Sequence, residues 1–160
     1  MNAEFQTWIG YDDVKSLPVY FYVQKNSSYS GTDSYAPIPF EVEILNIGGA
    51  MNLTSGVFTA PRPGIYHFAL SGVNLHPPVP NTYVYVFLYL NGNALAHAHT
   101  LVSTNYNYSD YETFSLQTAV QLKTGDRLWI SLSCYLAFLY DDYQISLTHF
   151  TGWLSQEDTF

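Results

Sequence analysis

Residues Gly56 to Leu70 read GVFTAPRPGIYHFAL. Two short apolar runs, Val57-Phe58-Thr59 and Ile65 to Leu70, stand on either side of Pro61-Arg62-Pro63-Gly64. Proline removes a backbone donor and fixes φ, so neither run can continue through the break. Gly64 supplies the freedom to turn back into extended chain. Beyond it, Tyr66, Phe68 and Leu70 fall on one face of a strand, and Ile65, His67 and Ala69 on the other. A face carrying two large rings has to be buried, and for a strand the natural cover is a second sheet. The stretch therefore predicts strand, tight corner and longer strand in an all-β sandwich, with Tyr66 and Phe68 packed against the strand at 128–134.

The rest of the chain has the same grain. Short apolar runs recur between Gly, Pro and Asn breaks, and no extended helical periodicity with caps is present. Thr82 to Leu90 alternates Tyr83, Tyr85, Phe87 and Tyr89 with Val84, Val86, Leu88 and Leu90. Asn91-Gly92 after it is a strong hairpin turn. Residues 26–37, 74–81 and 105–111 read as loops. The 160 residues are enough for one domain with a proper core. Only 11% are charged, whereas 15 Tyr and 10 Phe favour strands.

Five Lys and Arg against a net charge of -8 leave no basic groove, which excludes nucleic acid and anionic membranes as partners. No run approaches the roughly 20 apolar residues of a membrane span, so no membrane insertion is expected. Met1 to Gln6 lacks the apolar core of a signal peptide. Sequons at Asn26, Asn52 and Asn107 fall in turn-like segments and favour secretion modestly. The single cysteine, Cys134, falls on the apolar face of Leu128, Ile130, Leu132 and Cys134. It reads as a small buried hydrophobe in preference to an interchain disulfide.

The central stretch and five other segments, in order, resemble one family. The central stretch is similar to the signature of the globular complement C1q domain, whose fold is shared with the tumour necrosis factor cytokines. Val19 to Val23 resembles its first strand, and Pro39-Phe40 with Asn46-Ile47-Gly48 the lead into the signature. Leu88 to Asn91 resembles the middle hairpin, Leu122 to Trp129 the L-x-x-G-D segment, and His149 to Leu154 the closing strand. The likeness covers residues 17–156, leaving 1–16 as a lead-in and 157–160 as a tail. It implies a ten-stranded jelly-roll sandwich that forms trimers. No Gly-X-Y tract is present, so the chain is a head without a collagen stalk.

The resemblance further implies a secreted, non-enzymatic homotrimer that binds protein, glycan or microbial-surface ligands in innate immunity or the extracellular matrix. A cytokine-like receptor ligand is the alternative on the same fold. The aromatic face of Tyr83, Tyr85, Phe87 and Tyr89 has no evident cover in a single sandwich, which makes it the expected trimer interface. C1q-like heads often carry acidic residues before the last strand, so Asp141 and Asp142 become candidate calcium ligands. Tyr106, Tyr108 and Tyr111, set among Asn and Ser, have the composition of a recognition loop and are candidate ligand contacts. His97-Ala98-His99, with Glu112 and His149, suggests a cupin-like metalloenzyme, but Glu112 comes too late for the cupin spacing.

Overall fold

A computed structural model describes residues 17–31, 35–104 and 107–158. Among them, eleven strands form two antiparallel sheets. The first sheet holds β1 (Tyr20–Gln24), β2 (Val42–Ile47), β5 (Gly64–His76), β8 (Asp110–Leu122), β10 (Phe138–Tyr140) and β11 (His149–Glu157). The second runs β3 (Met51–Asn52), β4 (Val57–Thr59), β9 (Arg127–Tyr135), β6 (Thr82–Leu90) and β7 (Asn93–Val102). The expected ten strands are present in substance; the count of eleven includes very short pieces such as β3 and β10.

The quoted stretch becomes β4, the proline corner and the start of β5. Along β5 burial alternates strictly from Gly64 to Leu70, as the sequence requires. Tyr66 and Phe68 are fully buried in one cluster with Phe21, Phe58 and Phe150 from other strands and with Leu128, Ile130 and Leu132 of β9. Phe58 meets Tyr66 and Phe68 edge-on at 5.5 and 5.2 Å, an arrangement the ring quadrupoles favour. Tyr66 keeps its hydroxyl satisfied by donating to the Arg62 carbonyl at 2.7 Å. Gly152 on β11 lies where a Cβ would stand 2.4 Å from the Phe21 ring, so only hydrogen fits between these aromatics.

Asn91 and Gly92 both take positive φ, 51° and 89°, and close the β6–β7 hairpin. One feature departs from simple alternation. The pairing of β6 with β7 shifts register between Leu88 and Tyr89, and Tyr89 is buried to 6% exposure on the outward side, among other rings.

β5 pairs along its whole length with β8, from Gly64↔Leu122 to His76↔Asp110. Its other edge takes β11 over the first part and β10 over the last. β1 lies against β11 with Tyr20 opposite Trp153 and Gln24 opposite His149.

Candidate functional site

Both sheets have an outer face, and the candidate residues divide between them. On the second sheet, Tyr83, Tyr85 and Phe87 stand outward from β6 and are half-buried. Their rings form a continuous ladder: Tyr83 to Tyr85 at 5.3 Å, Tyr85 to Phe87 at 6.2 Å and Phe87 to Tyr89 at 5.6 Å. The chain itself supplies part of the cover that the sequence reading found lacking. His99 packs on Tyr85 and His97 on Phe87, both from β7. Trp129 and Tyr35 close over Tyr89, and the Trp129 indole donates to the Tyr35 carbonyl at 3.1 Å. Ser131 lies wholly beneath this band, its hydroxyl without a hydrogen bond. The sequence hid this cover because Tyr35 and Trp129 come from distant segments.

At the opposite end the ladder stays open. A cleft of about 370 Å³ lies there, lined by Asn81, Tyr83, Leu101 and Tyr135. Tyr83 and Tyr135 stack at 5.6 Å. Leu101 is 57% exposed and Tyr135 49%. Sequence reasoning missed this cleft, although Leu101 as an exposed leucine on the outward phase of β7 was its available signal.

On the first sheet, the outer face runs across β1, β11, β5 and β8. Small side chains hold its centre: Ala69 and Ser71 of β5 lie opposite Gln117 and Ser115 of β8. Aromatic groups flank them, with Trp153 stacked between His67 at 5.3 Å and Tyr20 at 5.9 Å. Tyr22 donates to His149 Nδ1 at 2.9 Å, and His149 Nε2 donates to the Ser146 carbonyl at 2.7 Å. Two shallow clefts, about 330 and 240 Å³, sit side by side here and share Ala69 and Gln117.

The other candidates scatter. Glu112 lies on β8 in the first sheet and His149 on β11, while His97 and His99 project from β7 in the second. Among the described residues no three His, Cys, Asp or Glu side chains converge on a metal position. The cupin arrangement is therefore not assembled. Tyr106 lies outside the described residues; Tyr108 and Tyr111 are exposed, and Tyr111 meets Tyr140 edge-on at 5.3 Å. Cys134 packs against the core as a free, half-buried thiol, and burial pushes its pKa up.

Asn52 and Asn107 are exposed, and Asn26 is half-buried with its backbone N–H donating to Glu41.

The acidic pair is not an open cation site. Asp141 is buried, and its carboxylate accepts three backbone N–H bonds at 2.8–2.9 Å, from Asp142, Leu147 and Thr148. Asp142 Oδ1 accepts from Gln144 N at 2.8 Å. N–H groups already point at these oxygens, where a calcium ion would need bare lone pairs. The residues present do not fit the ion.

A family model described as "C1q domain" matches residues 20–155. The chain belongs to the C1q domain family. Of solved structures, the globular domain of zebrafish complement 1qA is similar: TM-score 0.58, 16% identity, covering 88% of this chain and 99% of that one. That likeness speaks to the fold. No curated protein sequence matches. C1q domains are generally non-enzymatic recognition modules, typically extracellular and trimeric, and no helix of this one among the described residues is long and apolar enough to cross a membrane.

Proposed function

We propose that this C1q domain is a secreted, non-enzymatic recognition head that acts as a homotrimer and binds protein, glycan or microbial-surface ligands. The family match over residues 20–155 carries the reading. Self-association has a suitable surface on the first sheet. Ala69, Ser71 and Ser115 leave depressions that side chains of a neighbouring copy can fill, and Tyr22, His67 and Trp153 flank them with the ring surface that interfaces favour. The Tyr83, Tyr85, Phe87 and Tyr89 band, the contact expected from sequence, is less in need of a partner because its own chain covers one end.

Light scattering at micromolar concentration tests the assembly and should return three times the 18.1 kDa chain mass. Ala69→Arg, at the centre of the first face, should yield monomers, whereas Tyr85→Asp should leave the mass unchanged. A monomer for the unaltered chain removes the homotrimer. Dissociation by Tyr85→Asp alone would return the contact to the aromatic band.

A further inference from the structure

Where β5 ends, the gap between the two sheets holds polar groups that folding leaves unbalanced. Burial alternates along the start of β8: Tyr111 is exposed, while Asp110 and Glu112 are half-buried on the inward phase that continues into Phe114 and Leu116. Register sets Asp110 opposite His76 and Glu112 opposite Asn74. Directly opposed residues share a face with their Cβ atoms about 5 Å apart. The two carboxylates therefore border two side chains, Asn74 and His76, that are fully buried. β7 packs against β8 and adds Thr100 to the same corner.

Most hydrogen bonds in this corner are made. His76 Nδ1 and Nε2 bond the Thr82 and Thr100 hydroxyls, both at 2.8 Å, and Asn74 Nδ2 donates to Thr100 Oγ1 at 3.0 Å. Asn74 Oδ1 is buried and accepts nothing. Next to it, the hydrogen bond to Asp110, burial and the Asp110 charge together hold the Glu112 carboxyl above its usual range. No cation among the described residues answers this pair. Lys25 is paired with Glu41 and Arg62 with Glu157, and Lys123 and Arg127 lie beyond Leu122, at the other end of β8. Two carboxylates without a counter-charge and an amide oxygen without a partner leave acceptors and no donor.

We propose that this corner binds a primary ammonium group, carried by a small amine or by a lysine side chain. An ammonium brings three N–H donors and accepts nothing, which matches Asp110, Glu112 and Asn74 Oδ1 one for one. Guanidinium fits less well. Its flat fork suits one carboxylate taken side-on, and the amide oxygen lies inside, where only a compact group on a narrow stem reaches. Calcium fits less well too. It takes about six to eight oxygens, and the nearby Thr82 and Thr100 hydroxyls are already engaged with His76. The bound ammonium takes the place of the proton that the two carboxylates share.

Calorimetric titration of the full chain with cadaverine and with Nα-acetyl-lysine amide tests this. At least one should bind near neutral pH, whereas tetramethylammonium, which has the charge but no N–H, should not. Cadaverine alone assigns the site to small amines; the lysine amide as well opens it to a protein lysine. Affinity should fall in mild acid, as the carboxylates take back their proton. The titratable groups facing Glu112 are Asp110 on its own strand and His76 from β5; β7 presents Thr100 there, with His97 and His99 on its other face. Glu112→Gln and Asn74→Leu should each weaken binding about tenfold. Glu112 stands at the rim, so Glu112→Gln gives the answer if Asn74→Leu lowers the melting temperature. No binding of either amine, equal binding of tetramethylammonium, or an unchanged affinity in Glu112→Gln overturns the site. The corner opens between the sheets, away from the outer face of the first sheet, so the light-scattering mass reports on the homotrimer independently.

Discussion

Lys25 is the most buried charge in the molecule's described part, at 1% exposure. Its ammonium donates to the Pro39 carbonyl and to Glu41 Oε1, both at 2.9 Å, and lies over the rings of Tyr29 and Phe40. Phe21, Val23 and Lys25 share one phase of the chain, so its inward position was readable; its partner, sixteen residues away, was not. Removing one member leaves the other uncompensated, and Glu41→Ala should cost about 3–5 kcal/mol in denaturant unfolding. Burial raises the Glu41 pKa, but hydrogen bonds from Lys25 and Ser27, the Lys25 charge and the Asn26 N–H outweigh it and hold the carboxyl below its ordinary value. His76, fully buried between Thr82 and Thr100, is also depressed, by burial, with Asp110 opposing. A group depressed in the folded state binds protons more readily when unfolded, so stability rises with pH across its window. The His76 contribution should be complete above roughly pH 6.5 and erode below it; that of Glu41 should erode in the carboxylate range further down. Urea unfolding as a function of pH checks this, and His76→Gln should remove the upper step. Leu136→Asn should raise stability by about 1 kcal/mol, because Asn tolerates the left-handed backbone and little apolar burial is lost.

The element that decides the fold is β5, and its inward rings make the sharpest packing test. Phe68→Ala should cost about 3–5 kcal/mol by cavity formation, measured by thermal or chemical unfolding. Such elements were legible because alternation writes itself into sequence: Tyr66, Phe68 and Leu70 went inward as read, and the Asn91-Gly92 turn closed as read. The slip at Tyr89 was not legible, since a bulge is set by how two strands fit and leaves no mark in either one alone. Loops were legible only as loops. Asp141 read as a candidate calcium ligand, yet it ties residues 142, 147 and 148 together from inside. Charge-assisted bonds to backbone N–H groups are among the stronger ones, and several are lost together in Asp141→Ala. That variant should unfold about 3 kcal/mol more easily, whereas calcium or a chelator should leave the melting temperature of the parent chain unchanged.

For the whole molecule, order of motifs was more informative than any motif. Six segments in order, each weak alone, pointed to the family, because their spacing mirrors a closed pattern of strand neighbours that few chains share. The outer faces resisted reading. Whether an aromatic face is free depends on segments such as Tyr35 and Trp129, which only the folded chain brings together. If the homotrimer forms, its melting temperature should climb with protein concentration, since association draws the folded state; a concentration-independent value would mark a chain that folds alone. The strand directions have one more consequence. Tyr20, Trp153 and Glu157 all sit at the Gly64 end of β5, while the cleft beside Tyr83 and Leu101 sits at the His76 end. Twelve steps of extended chain separate the two, roughly 40 Å. The described chain is therefore polar in the mechanical sense: anything joined close to Tyr20 or Glu157 lies at the end of the sandwich away from the open cleft.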